Sequence, residues 1–281
     1  INYFFQSIVV YMFFIMGRII GIYLSRKIFS SLFYTFGHFF KSKKIINHNL
    51  NIFSKHVSSI DEKQITKSMW NNYGMTFIEY VYLDFFRKNN SHIVIEGLEN
   101  IEEVIKNKKQ VIFVSGHFAN FELMSMEITK KNINLATIYR PLNNFFLNPL
   151  MEYLRKKYIC KNQIKKGING VRDSIEFIKR KHSIALMIDQ RVSEGEMVDF
   201  FSKPALTTTL PAQLAMKYDL AIIPVFIERT IDNKFKINFF EKIMPNNFKS
   251  KLDLTIKLNQ ILEKMIKNNP NQWIWTHNRW K

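Results

Sequence analysis

The chain has 281 residues, and its 41 basic against 23 acidic side chains give a formal charge of +18. A hydrophobic share of 47%, with 26 Phe and 4 Trp, excludes a disordered polyelectrolyte, and 9 Gly with 7 Pro exclude a collagen-like or linker-like chain. The length fits one large domain, or one domain with an appendage, and the single Cys160 excludes an internal disulfide framework and any cysteine-based zinc or iron–sulfur motif.

The charge points to an anionic partner: nucleic acid, an acidic protein, a lipid phosphate or a membrane surface. Part of it is also the compositional drift of a chain rich in Lys, Ile, Asn and Phe. Its placement is uneven, because Arg18, Arg26, Lys27, Lys41, Lys43, Lys44 and Lys55 precede the first acid, Asp61. Tyr3–Met16 is almost wholly apolar, Arg18 interrupts it, and Ile19–Leu24 resumes it. A bilayer span needs roughly 20 apolar residues, so a spanning Tyr3–Leu24 segment must carry Arg18, which would snorkel or face protein. Membrane anchor, interfacial helix and buried core helix all fit this pattern, and we favour the first two, with the Lys and Arg that follow set against anionic headgroups. A signal peptide fits less well, since no basic region precedes the apolar run and no small-residue cleavage site follows it.

Helical spacing of Ile65, Met69, Tyr73, Phe77, Tyr80 and Leu83 predicts a helix over Asp61–Phe86. An alternating βα pattern follows. Strands are expected at His92–Glu96, Val111–Ser115, Leu135–Tyr139, Ile184–Ile188, Leu220–Phe226 and Lys234–Phe240. Helices are expected at Asn120–Lys131, Phe145–Lys157, Val171–Arg180, Leu210–Tyr218 and Asp253–Lys267, and Asn246–Lys251 reads as a surface loop. Strands alternating with helices imply an α/β fold with a largely parallel central sheet flanked by helices. No further domain boundary shows after about residue 90.

The most informative stretch runs from Val111 to Met124, where four β-favouring apolar residues lead into Ser115, Gly116 and His117 and then a helix-compatible run. His117 is thus placed where a buried strand gives way to a helix, the carboxyl edge at which open α/β sheets bind ligands. Glu122 lies five residues on. With His117 outside the helix and Glu122 in its first turn, the carboxylate could orient the imidazole and leave the other ring nitrogen as a general base. By spacing alone, a structural His with a nearby Glu fits as well. The chain has no G-x-S-x-G elbow, Walker loop, G-x-G-x-x-G or H-E-x-x-H motif. Cys160 lacks an activating neighbour and reads as a buried, inert thiol, and the scattered His38, His48, His56, His92 and His182 suggest no metal site.

His117 to Glu122 resembles the H-x4-D/E motif of membrane-associated acyltransferases. Tyr139-Arg140-Pro141-Leu142-Asn143-Asn144 resembles a Y-R-P-x-x-N block, and Asp189-Gln190 with Val198-Asp199-Phe200-Phe201 and Pro204-Ala205 resembles a D-Q…V-x-F-F-G-x-P-A block. The terminal Pro270-Asn271-Gln272-Trp273-Ile274-Trp275-Thr276-His277-Asn278-Arg279-Trp280 is similar to P-x-Q-W-x-W-x-H-x-R-W. Together these ordered blocks resemble the lipid A biosynthesis late (lauroyl/myristoyl) acyltransferases of Gram-negative bacteria over nearly the whole chain. Ser202-Lys203 departs from that pattern, which usually has Gly and a small or apolar residue there.

The resemblance implies transfer of a fatty acyl chain from acyl carrier protein to a hydroxyl of a Kdo-bearing lipid A precursor, without cofactor or metal. It makes His117 the base, Glu122 its orienting carboxylate, and Arg140, Asn144, Asp189 and Gln190 substrate-binding residues. With no Ser or Cys nucleophile beside His117, direct attack is expected rather than an acyl-enzyme. It also implies an inner-membrane protein with residues 1–40 as anchor or interfacial helix and 41–281 as an acyltransferase domain on the cytoplasmic face. The terminal block is expected to pack rather than react, with His277 and Arg279 still able to touch a headgroup. A phosphatidylinositol mannoside or a glycerophospholipid is the alternative acceptor. A basic, non-catalytic membrane- or nucleic-acid-binding protein is the alternative class, against which stand the apolar setting of the aromatics and the lack of any nucleic-acid-binding motif.

Overall fold

The computed structural model describes residues 2–39 and 43–281, with Ile168 described by its backbone alone. Lys41 and the expected boundary between residues 40 and 41 therefore lie outside the described residues. The chain opens with α1 (Asn2–Ile20), α2 (Ile22–Phe36), α3 (Lys43–Ser54) and α4 (Glu62–Glu79). After a 3₁₀ turn at Tyr80–Tyr82 come α5 (Leu83–Lys88), β1 (Ile93–Glu96), α6 (Glu102–Lys106), β2 (Val111–Ser115), α7 (Glu122–Lys130) and β3 (Leu135–Tyr139). Then follow α8 (Asn148–Leu154), β4 (Asn162–Lys165), α9 (Ile168–Lys179), β5 (Ser183–Met187), β6 (Glu196–Phe200) and β7 (Lys203–Thr207). The last elements are α10 (Leu210–Tyr218), β8 (Ala221–Arg229), β9 (Phe235–Phe239) and α11 (Lys251–Asn268).

Seven strands form one sheet in the order β1-β9-β8-β2-β5-β3-β4, parallel throughout except where β8 meets β9. The largely parallel α/β architecture expected from the sequence is present. β2 is buried at every position and β5 at all but its last, as a parallel strand covered on both faces requires. Two elements differ from expectation. β4 has a single buried position, Ile164, so its edge sequence Asn162-Gln-Ile-Lys carries no strand pattern. β6 and β7 form a separate antiparallel hairpin whose two-residue turn, Phe201-Ser202, has positive φ at both positions (52° and 51°). Ser202 adopts this conformation without being glycine, and Glu263 Oε1 holds the turn by accepting from Phe201 N at 2.7 Å.

The N-terminal apolar run is not one helix. Gly21 has φ +81°, a conformation open to glycine, and the chain turns there between α1 and α2. Among the described residues α1 alone is long and apolar enough to cross a membrane, and 17% of its most apolar window is buried in the protein. Arg18 stays half exposed while donating to Asp84 at 2.7 and 3.0 Å and to the Val81 carbonyl. α2 lies along α4, where Phe29 and Phe33 are buried against Phe77. The expected Asp61–Phe86 helix is likewise divided: Asp61 caps α4 by accepting from Gln64 N, and the 3₁₀ turn separates it from α5.

Candidate active site

The parallel register decides which side chains meet. Ser115 of β2 is paired with Met187 of β5, and Ile188 N donates to the Ser115 carbonyl. Two residues past that pair on each strand stand His117 and Asp189. His117 Nδ1 lies 2.7 Å from Asp189 Oδ1, and His117 backbone N donates to Asp189 Oδ2 at 2.7 Å. Trp273 Nε1 donates to the same Oδ2 at 2.9 Å. Burial by itself would raise the pKa of Asp189; the His117 charge and these hydrogen bonds outweigh it and hold the carboxyl at about 2. An ionised carboxylate only accepts, so Nδ1 carries a proton in either charge state, and whenever the ring is neutral its lone pair lies on Nε2, which has no hydrogen-bond partner among the described residues. Gly116 permits this approach, because a Cβ there would sit 3.3 Å from Asp189 Oδ2 and under 3 Å from Phe118 and Leu262.

This corrects the expected pairing of His117 with Glu122. Glu122 is the first residue of α7, and its Oε1 accepts from Arg155 Nε at 2.8 Å, from Arg155 Nη2 at 2.6 Å and from Tyr80 Oη. Its Oε2 has no hydrogen-bond partner among the described residues. Burial raises the Tyr80 pKa, and Arg155 stays protonated because the neighbouring Glu122 charge outweighs the effect of its own burial.

The loop between His117 and Glu122 is fixed from both sides. Ala119, at φ +45°, accepts at its carbonyl from Thr76 and Asn72 of α4 and donates from its amide to the Gln272 carbonyl. Asn120 Nδ2 donates to buried Glu79, which also meets Arg229 and Arg26. Phe118 pairs with Trp273 as an isolated bridge. The terminal aromatic block thus acts mainly by packing and holding this loop. Arg279 is buried and donates to the Leu206 carbonyl and Thr207 Oγ1 of β7, so it does not reach a headgroup. His277 lines the cavity, and its Nε2 accepts from Arg191 N at 2.9 Å. Burial first, then the nearby cations, lowers its pKa to about 4.

His117 opens on a cavity of about 630 Å³, within the range of a lipid or cofactor site. Part of its lining is apolar, including Val10 and Phe14 of α1, Phe77 of α4, Met124 of α7, Met151 of α8 and Leu147. Part is polar and cationic, including Arg140, Lys166, Gln190, Thr276 and His277. Arg140 and Lys166 each follow the last residue of a strand, and those residues, Tyr139 and Lys165, are paired in the β3–β4 register. Arg140 has no hydrogen bond or ion pair among the described residues. Partial burial, and then the charge of Arg140, hold Lys166 below the usual lysine range. Lys166 was not foreseen, and its only possible signal was the edge strand β4 that leads to it.

Asn144, expected to bind substrate, is absent from this lining. Its Oδ1 accepts from Phe146 N and Leu147 N, and its Nδ2 donates to the Tyr3 carbonyl of α1. Cys160 is buried outside this lining, donating to the Leu135 carbonyl, and burial pushes its thiol up to about 11.

A parallel sheet whose carboxyl edge sets one unpartnered imidazole nitrogen over a cavity part apolar and part cationic suits general-base transfer of an acyl group. Comparison with known sequences gives the family. The chain belongs to the bacterial lipid A biosynthesis acyltransferases, whose family model matches residues 1–281. It is an acyltransferase of lipid A biosynthesis. It is 24% identical over 248 residues to the lipid A biosynthesis palmitoleoyltransferase of Escherichia coli (strain K12), covering 86% of this chain and 79% of that one. To the lipid A biosynthesis lauroyltransferase of the same strain it is 23% identical over 247 residues, covering 85% and 78%. Among solved structures, the 1-acyl-sn-glycerophosphate acyltransferase of Thermotoga maritima matches 89% of this chain and 99% of its own, with a TM-score of 0.44 at 17% identity.

Proposed function

We propose that the chain transfers a fatty acyl group from acyl carrier protein to a hydroxyl of a Kdo-bearing lipid A precursor, at the cytoplasmic face of the inner membrane. The observation that carries the mechanism is the Asp189–His117 pair with Nε2 facing the cavity. Nε2 takes the proton of the acceptor hydroxyl as its oxygen attacks the thioester carbonyl carbon. The tetrahedral adduct then collapses, the carbon–sulfur bond breaks, and the imidazolium returns the proton to the departing thiolate. Asp189 stabilises the imidazolium between these steps, and general-base catalysis of this kind contributes about 10²–10⁴-fold.

No Ser or Cys acts as nucleophile here. Ser115 is buried at its own strand end, Cys160 lies outside the cavity lining, and Ser125, which does line it, makes no hydrogen bond to the His117 ring, so attack is direct, in a ternary complex. Arg140 and Lys166, charges without ion pairs at the polar mouth, suit a phosphate of either substrate, with Gln190 beside them. The apolar part of the lining suits the acyl chain. Burying a dodecyl-length chain contributes on the order of 9 kcal/mol gross, at about 0.8 kcal/mol per methylene. The excess of basic residues favours both an acidic carrier protein and an anionic lipid. α1 keeps the enzyme in the plane that holds its acceptor.

The test is an assay with acyl-carrier-protein thioesters and a panel of acceptors: Kdo-bearing and Kdo-free lipid A precursors, a phosphatidylinositol mannoside and a glycerophospholipid. Product is expected with the Kdo-bearing precursor alone and lost in His117→Ala. Equal rates on the other acceptors, or a trapped acyl-enzyme during turnover, would overturn the reading.

A further inference from the structure

The segment between β3 and α8 carries an exposed aromatic pair that the catalytic reading does not use. Phe145 is 65% exposed, and Phe146 and Leu142 are also open to the outside. This is not a loose loop. Leu142 N donates to Asn148 Oδ1 at 2.9 Å, and Asn144 Oδ1 accepts from Phe146 N at 3.0 Å. Two bonds tie it to α1: Asn144 Nδ2 to the Tyr3 carbonyl and Tyr11 Oη to the Phe146 carbonyl, each 2.9 Å. Its rings meet those of α1 edge-on, Tyr3 with Phe145 at 6.3 Å and Phe4 with Phe146 at 5.4 Å between centroids. Both ends of the loop are tied down, yet Phe145 and Phe146 stay exposed.

We propose that the Leu142–Phe146 loop is a second membrane contact, a shallow lip beside α1 that inserts into the bilayer interface and opens the cavity toward it. A bilayer is the occupant the surroundings fit. The patch is continuous with the exposed face of α1, the one helix among the described residues apolar enough to enter a membrane. α8 and the helical turn that continues it, Arg155–Ile159, present exposed Tyr153, Lys156 and Lys157, with Lys157 Nζ donating to Tyr153 Oη at 2.7 Å. Aromatics backed by lysines are the composition of an interfacial surface facing anionic headgroups. The loop supplies Leu142 and Asn143 to the cavity lining, and its flanking Pro141 and Leu147 also line it, so insertion there places the cavity mouth at headgroup depth. The inference rests on the proposed membrane setting of α1.

The test is tryptophan fluorescence of the full chain reconstituted into phosphatidylethanolamine–phosphatidylglycerol vesicles with brominated or plain acyl chains. Trp70, Trp273, Trp275 and Trp280 are all buried, so the unsubstituted protein supplies a subtractable background. Phe145→Trp is the probe, and Ile15→Trp on the exposed face of α1 reports the setting of the anchor. In Phe145→Trp the added emission is expected to shift to the blue and to lose roughly half its intensity in brominated vesicles, most with bromines high on the chain, as for a side chain seated at the headgroup–acyl boundary. Quenching at Ile15→Trp without quenching at Phe145→Trp overturns the lip and leaves the anchor standing. Absence of quenching at both overturns the lip together with the membrane setting. Neither readout depends on acyl transfer.

Discussion

Asp189→Asn separates the two carboxylates that the H-x4-E spacing and the folded site respectively assign to His117. Asp189 Oδ2 receives two donors, His117 N and Trp273 Nε1, while Oδ1 faces His117 Nδ1. An isosteric amide places its oxygen toward the two donors, which turns its NH₂ toward Nδ1. The imidazole then has to accept at Nδ1, so the proton moves to Nε2 and the lone pair that takes the acceptor proton is lost. The expected fall in kcat is about 10³–10⁴-fold, the scale seen when a catalytic imidazole is held in the wrong tautomer. That equals roughly 4–5.5 kcal/mol of barrier at 1.36 kcal/mol per decade. The measurement is single-turnover acyl transfer, with near-ultraviolet circular dichroism to show that Trp273 keeps its packing. A rate within about threefold of the unsubstituted enzyme would refute the assignment, since general-base catalysis contributes far more than that. A collapse confined to Glu122→Gln would return the orienting role to the neighbour in sequence.

Glu122→Gln should lower stability by about 3–5 kcal/mol, because it leaves the largely buried Arg155 without its counter-charge; an unchanged urea midpoint would contradict this. Cys160→Ser should leave the transfer rate unchanged, since the thiol lies off the cavity and a hydroxyl can donate to the same Leu135 carbonyl; a dead enzyme would show a role the geometry does not contain. His277, with its pKa lowered to about 4 from 6.5, binds fewer protons folded than unfolded. Its contribution to stability is therefore complete above pH 6.5 and drains away as the pH falls toward 4. The melting temperature should decline over that window, and His277→Gln should flatten the decline; an equal slope in both proteins would assign the acid sensitivity elsewhere.

The sheet was legible where its strands are buried on both faces. β2, β3 and β8 are dense in apolar, β-favouring residues, and the expected spans fall on or near the observed ones. β4 escaped notice because an edge strand with one buried residue has no periodicity to read, and with it went Lys166. The place of His117 just past the carboxyl end of β2 was visible in the sequence. Its partner was not, because the pairing comes from the register of two strands far apart in sequence, Ser115 beside Met187, and no local spacing encodes that. The terminal aromatic block was legible as packing. That Trp273 donates to the Asp189 carboxylate, and so shares in fixing the imidazole, needed the fold.

The relation of the first helices to the catalytic sheet leads to the most demanding test, in which the chain is shortened from its start. Removing α1 alone strips the apolar lining of Val10 and Phe14 and the Arg18–Asp84 pair, while α2 stays on α4. Beginning at Lys43 also removes Phe29 and Phe33, both buried, and Arg26, whose Nε donates to buried Glu79 at 2.6 Å. Each phenylalanine stabilises the fold by about 1.5–3 kcal/mol. Their loss bares Tyr73 and Phe77 on α4, the helix whose Asn72 and Thr76 hold the Ala119 carbonyl beside His117. A chain starting at Ile22 should therefore still unfold cooperatively in dilute detergent, with its near-ultraviolet spectrum retained, whereas one starting at Lys43 should aggregate or lose that spectrum. A monomeric Lys43 chain with a native spectrum would show that α2 is an appendage after all. If it fails as expected, α2 is part of the catalytic core, and the packing that folds the enzyme also fixes the imidazole relative to the N-terminal helices.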